Sequence, residues 1–309
     1  MRSITLPFTM AVLACAVATG GQSVTNEAAR RITGGVTTYV AAKDDTLRSI
    51  GARFGLDAAT LAADNDLQPT VKLTAGQPLR VDNRHIVPDA AGEGGITINV
   101  PQRMLFYEWE GAVASFPVAV GQATWQTPTR PFTIVLTETD PTWDVPESIR
   151  EEARRAGRHL PASVPPGPSN PLGKYWLGLS IPSVGIHGTN APTSIYRVTT
   201  HGCIRVGPDD MAWLFPRVTV GTPGRIVYEP IMLAEVDGEI LLEVHGDVYR
   251  RLKDHPRSVV RALAQVLGLT GDIDWDRADD VIAARHGVAR TVAGPSRAGG
   301  RAATGVKVR

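Results

Sequence analysis

Apolar and polar positions follow three successive rhythms along the chain. Between residues 37 and 83 short strands flank helical spacing. Tyr39 and Val40 open a strand, and Leu47, Ile50 and Phe54 share one face of a helix that Asp44 or Asp45 can cap and Gly55 ends. Asp57 caps a second short helix through Leu61, and Leu79 to Val81 closes a second strand. From residue 96 the period becomes two: "ITINV", "MLFYEWE" and "SFPVAVG" read as half-buried strands, with Glu110-Gly111 as a turn. Residues 141–172 break that rhythm, because "PESIREEARRAG" suits a short helix begun by proline and "LPASVPPGPSNPLG" is a proline-rich loop. Such a segment is either a lid that shapes a substrate site or a surface insertion. Beyond Pro230, "IMLAEVDGEILLEV" reads as a hairpin turning at Asp237-Gly238, and "DVYRRLKDHPRSVVRALAQVLGL" as helix interrupted by Pro256.

The ends and joints change the picture. Residues 1–18 read as a signal peptide: Arg2 is the positive start, Ile4 to Val17 the apolar core, and Ala16-Val17-Ala18 the small-residue cleavage site. A membrane span would need about 20 apolar residues, and Pro7 interrupts this shorter run. The run also contains "VLAC", which leaves a second reading, lipidation at Cys15. Residues 19–36 and 84–95 read as linkers, and 286–309, without an acidic residue, as a disordered basic tail. A formal charge of +1 gives no electrostatic case for nucleic acid as a partner. Cys15 and Cys203 are the two cysteines, so cleavage after Ala18 leaves Cys203 alone. A lone thiol cannot close an intramolecular disulfide; it is a small buried hydrophobe or a reactive group.

Around that thiol runs "IHGTNAPTSIYRVTTHGCIRVG", with His187 and His201 close in sequence. A thiolate is the useful nucleophile, and a nearby imidazole can take its proton. On an extended segment His201 and Cys203 share a face with Cα atoms roughly 6 to 7 Å apart, long for a direct hydrogen bond. His187 is free to approach from a neighbouring strand. Gly188 and Gly202 permit close backbone approach, and N–H groups around Gly202 and Cys203 can face a developing oxyanion. Two other readings stay open on these residues alone: a zinc site, although a fourth ligand and paired spacing are missing, and ordinary core packing.

Two resemblances sharpen this. Residues 37–83, with "DTL", Asn65 and "AGQPLRV" in order, resemble a lysin motif (LysM), the module that binds N-acetylglucosamine-containing glycans. "IHGTN...THGCIR" resembles the signature of the L,D-transpeptidases, and the likeness runs from about Ile96 to Pro230 through "PVAVGQATWQTPT", "SNPLGKYWLGLSIPSVGIHGTN" and "FPRVTVGTPGRIVYEP". These stretches are like those of the Gram-negative branch that handles peptidoglycan and its lipoprotein anchors. The family usually has glycine where this chain has Arg130, which puts a local turn in question.

The resemblance implies a mainly β chain. A strand-rich, sandwich-like catalytic domain with short helices (96–230) follows a small βααβ LysM domain and precedes a hairpin-and-helix extension (231–285). It implies Cys203 as nucleophile and His187 as proton acceptor and donor, oriented by the Gly188 carbonyl. Thr200, His201, Gly202 and Arg205 match supporting positions. The reaction implied takes D-Ala from a tetrapeptide stem of peptidoglycan and passes the acyl group to an amine, on a second stem or on an outer-membrane lipoprotein's lysine. Water in place of the amine gives a carboxypeptidase or a lipoprotein-detaching amidase, and loss of chemistry leaves a wall-binding scaffold. No metal or diffusible cofactor is implied, and the setting is the periplasm.

Overall fold

The period-two runs close into a barrel in the computed structural model, which describes residues 31–88 and 95–293. Around the ring the strands are Ala112–Gly121, Ile204–Val206, Gly185–His187, Tyr175–Leu179, Pro131–Thr139, Pro223–Val227, Ile96–Asn99 and Met104–Trp109, and the last pairs with the first. A further strand, Val198–Thr200, runs parallel to the end of Ala112–Gly121. Alternate residues point inward, so Ile98, Leu105, Val118, Ile134, Leu177, Ile186 and Ile204 fill one buried core. The expectation of a mainly β, strand-rich core with short helices is met, and its strands close into a ring without a free edge. Glu110-Gly111 and Asp237-Gly238 turn with φ of 48° and 76° and of 52° and 82°, the left-handed pairs that two-residue hairpins need. Arg130 lies outside the left-handed region, so the turn in question accepts a side chain without strain.

In the βααβ unit, Val36–Val40 pairs antiparallel with Pro78–Asp82 beneath the helices Leu47–Phe54 and Ala58–Ala63. Neither Asp44 nor Asp45 caps the first helix. Thr46 does: its hydroxyl accepts from the Ser49 N–H at 3.0 Å, while Ser49 Oγ accepts from the Thr46 N–H at 2.9 Å. Asp45 instead accepts from the Tyr39 hydroxyl and the Ala42 N–H. Asp57 stands at the second N-cap without capping, because its carboxylate is taken by Arg103 of the barrel at 3.0 and 2.8 Å.

Three stretches read as linker or tail are built into the fold. Ile32–Thr33 pairs with His85–Ile86, joining the two supposed linkers. Arg290–Thr291, in the supposed tail, pairs with the strand Glu239–Val244. Val288 packs among Leu47, Ile50, Leu61 and Val81 in the core of the βααβ unit. These stretches are polar overall, and their few apolar residues are the ones that bury. The stretch before Pro256 is also not helical. Pro256 begins the helix Pro256–Val266, a position where its missing N–H costs nothing, and a second helix follows at Trp275–Ala284. The signal peptide, Cys15 and residues 294–309 of the tail lie outside the described residues. Among the described residues no helix is long and apolar enough to cross a membrane.

Where the βααβ unit, barrel and C-terminal hairpin meet, Glu243 is fully buried. Its Oε1 accepts from His85 Nδ1 and His245 Nε2, both at 2.8 Å, and from Gln102 Nε2 at 2.9 Å. Its Oε2 accepts from the Ile86 N–H at 2.6 Å, and His85 Nε2 reaches the Gly55 carbonyl at 3.0 Å. Burial opposes ionisation of this carboxyl, but the two imidazoles outweigh it and hold it well below the usual carboxylate range. Glu243→Ala should therefore cost about 3–5 kcal/mol at neutral pH in urea unfolding. Glu243's contribution is complete above its unfolded value near 4.5 and is lost as pH falls below it, so the gap between wild type and variant should narrow in acid. A loss under about 1 kcal/mol at pH 7 would mean that the buried network contributes no more than a surface pair.

Candidate active site

The strand Gly185–His187 lies between Tyr175–Leu179, antiparallel, and Ile204–Val206, parallel. Its register sets His187 beside Trp176 on one side and Arg205 on the other. Laterally paired residues share a face, and Cys203 lies two positions before Arg205, so all three converge. They line one cavity of about 730 Å³ with Trp125, Trp143, Ile149, Trp176 and Thr200. Gly185 is required here by close approach, since a Cβ would run into the Trp176 ring.

His187 is buried, and its Nδ1 meets the Gly188 carbonyl at 2.7 Å. A carbonyl only accepts, so Nδ1 carries the proton and Nε2 keeps the lone pair. Trp176 stacks on the ring with centroids 5.8 Å apart. Burial, reinforced by the Arg205 charge, lowers the His187 pKa to about 4. Burial also pushes the Cys203 thiol up from its ordinary value, with the Gly185 amide and Arg205 opposing. The thiol donates to the Ser183 carbonyl at 3.6 Å. Near neutral pH the resting pair is therefore thiol and neutral imidazole.

The segment between His201 and Cys203 is bent, not extended. Gly202 has φ of 109°, the Thr200 hydroxyl donates to the Cys203 carbonyl at 2.6 Å, and it accepts the Gly202 N–H at 3.2 Å. That N–H, expected to face an oxyanion, is thus committed to Thr200. The bend carries His201 to the helix Glu147–Arg155, where its Nε2 meets Glu152 at 2.8 Å and its ring packs on Trp125. Arg205 reaches Ser194, donating from Nη1 to Oγ at 2.8 Å.

Several residues that hold the site carried no signal in the sequence. Thr127 Oγ1 donates to the Gly202 carbonyl at 2.9 Å, and the Tyr249 hydroxyl accepts from the Thr127 N–H and donates to the Gly121 carbonyl. The C-terminal extension thereby braces the bend that presents Cys203. Buried Asn170 ties the ends of the proline-rich segment, donating to the Pro141 carbonyl and accepting from the Leu172 N–H. Thr142, Trp143, Ser148 and Ile149 then wall the cavity, which makes this segment part of the site and not a surface insertion. Among the described residues one grouping could offer three metal ligands, His85, Glu243 and His245. It lies in the buried joint described above, where those ligand atoms are spent on one another.

Residues 93–226 match the family model of the L,D-transpeptidase catalytic domain (YkuD), and residues 39–82 match that of the LysM domain. The chain is 33% identical to the probable L,D-transpeptidase ErfK/SrfK of Salmonella typhimurium, over 84% of this chain and 86% of that protein. It is 34% identical to the probable L,D-transpeptidase YcfS of Escherichia coli, over 69% of this chain and 68% of that one. A solved catalytic domain of the E. faecium L,D-transpeptidase aligns at 24% identity with a TM-score of 0.32, over 43% of this chain and 96% of that one. With His187 and Cys203 lining its cavity, the chain belongs to the L,D-transpeptidases and carries a LysM domain ahead of the catalytic domain.

Proposed function

We propose that this L,D-transpeptidase acts outside the inner membrane on the tetrapeptide stems of peptidoglycan, through a thioester on Cys203. The observation that carries the reading is the contact of His187 Nδ1 with the Gly188 carbonyl in the cavity that His187 and Cys203 both line, which assigns the proton to Nδ1 and leaves Nε2 as the base. Because burial leaves both groups neutral at rest, the proton leaves sulfur as the sulfur attacks, which is general-base catalysis and not a standing ion pair. Sγ adds to the carbonyl between diaminopimelate and the terminal D-Ala, and Nε2 takes the thiol proton. The tetrahedral intermediate collapses, the C–N bond breaks, and the imidazolium returns that proton to the departing D-Ala nitrogen. An acceptor amine then attacks the thioester, giving its proton to Nε2; the C–S bond breaks, and the imidazolium returns that proton to the departing sulfur. The acceptor is an amine of a second stem or of a lipoprotein lysine, while the LysM domain holds the glycan. Gly188 fixes the base, and Thr200 and Gly202 fix the nucleophile's bend.

The test is mass spectrometry of muropeptides after incubation of the purified protein with a tetrapeptide-bearing wall. Dimers joined between diaminopimelates, or protein-linked stems, identify the amine acceptor, whereas shortened monomers alone would make water the acceptor. Cys203→Ala should give none of these products and no covalent adduct with a carbapenem, and turnover by that variant would end the thioester mechanism.

The acid–base assignment has its own signature. kcat/KM should fall on the acid side through about pH 4, as Nε2 gains a proton and can no longer accept one from sulfur. Alkylation of Cys203 should still be climbing at pH 9.0, its ordinary value, because burial places the thiol higher. His187→Ala should slow acylation by about 10²–10⁴-fold and remove the acid limb. A plateau of alkylation between pH 5 and 7, reported by iodoacetamide labelling, would show a standing thiolate instead.

A further inference from the structure

We infer that Arg205 anchors a carboxylate of the donor stem through guanidinium N–H groups that protein atoms leave free; this rests on the stem-transfer reading of the cavity. Arg205 lines the cavity, pairs laterally with His187, and lies two residues beyond Cys203 on the same face. Its guanidinium offers five N–H donors in a rigid fork. Protein atoms meet only one corner, through the bond from Nη1 to Ser194. Nε is buried with no acceptor, and no aspartate or glutamate of the described residues forms an ion pair with this side chain. Glu138 and Asp144 also line the cavity, yet neither neutralises it.

Elsewhere the same chain gives its buried guanidinium groups a carboxylate. Arg84 takes Asp82 through Nε and Nη2 at 2.9 and 3.0 Å, and Arg290, also largely buried, takes Asp64 and Asp82 through Nη2 and Nη1. Arg103 and Arg150 leave Nε without an acceptor as Arg205 does, yet each is paired with a carboxylate, of Asp57 and of Glu147. A half-buried cation with no carboxylate partner is costly unless a ligand supplies one. A substrate carboxylate can meet the guanidinium N–H groups left free with charge-assisted bonds. The donor stem brings two candidates close to the scissile bond. One is on the terminal D-Ala, a single residue past the attacked carbonyl, and the other is on the side chain of diaminopimelate. Either would be held near the nucleophile by a side chain that does not itself move the reacting proton.

The experiment compares kcat/KM of the full-length enzyme on the free-acid tetrapeptide stem with two singly amidated stems, one amidated at D-Ala and one at the diaminopimelate side chain. Wild type should lose about 10²-fold on one of them, which identifies the carboxylate held. Arg205→Gln should handle that amide and the free acid within about threefold of each other, and Arg205→Lys should recover part of the discrimination. Two results would overturn the proposal: wild type indifferent to both amidations, or Arg205→Gln discriminating as wild type does. The wild-type comparison decides the matter even if a variant fails to fold. A wild type that forms no acyl adduct on Cys203 with the free-acid stem would instead remove the thioester reading beneath it.

Discussion

The parallel pairing of Gly185–His187 with Ile204–Val206 is the constraint on which the site rests, and barrel packing enforces it. Ile186 pairs with Ile204, and both are fully buried in the interior. With side chains alternating along a strand, their neighbours His187, Cys203 and Arg205 must then face the other way. A slip of one residue would put isoleucines into the cavity and an imidazole into the core, so the register is defended by burial on every neighbouring strand. Parallel neighbours cannot be joined by a tight hairpin. The intervening chain, with its short turn at Pro192–Ser194 and the strand Val198–Thr200, is the crossover that separates His187 from Cys203 in sequence and reunites them in space.

A second constraint sets how the LysM domain sits. Glu243 draws donors from the strand His85–Ile86, from Gln102 of the barrel and from its own hairpin, so three parts of the chain share one buried acceptor. The Arg103–Asp57 fork and Val288 in the LysM core add to the same joint. The LysM domain is therefore a fixed part of the body and not a bead on a tether. Its orientation toward the cavity is set by folding. Tyr249 extends this logic, since a residue of the C-terminal extension braces the bend that carries Cys203.

The sequence displayed what local periodicity and motif spacing can carry. The alternation after residue 96, both two-residue turns and the cluster of His187, Thr200, Gly202 and Cys203 were all legible. What remained hidden was decided by partners distant in sequence. Asp57 looks like a helix cap and is one by position, but a distant arginine takes its carboxylate. His85 and Ile86 look like linker because two residues show no period, though they are among the most deeply buried in the chain. The bend at Gly202 was invisible for a different reason. A left-handed glycine between two polar residues reads equally well as strand, and only the Thr200 hydroxyl bonds reveal which it is.

The charges around the cavity divide the labour among its residues. A proton passing from Cys203 to His187 leaves negative charge on sulfur, which Arg205 attracts, and positive charge on the ring, which Arg205 repels. The two effects oppose each other, so the cation does little to drive transfer between the pair. It does act on each group alone, and on any anion that enters. The energy of keeping an unneutralised guanidinium half-buried is therefore poorly explained by proton transfer and agrees better with the proposed anchoring of a substrate carboxylate. Under the proposed reaction, His187 and Cys203 stay neutral until a stem is in place. Water in the open cavity would then meet an unactivated thiol, and the reactive form of the sulfur would arise only as it bonds to the peptide carbonyl.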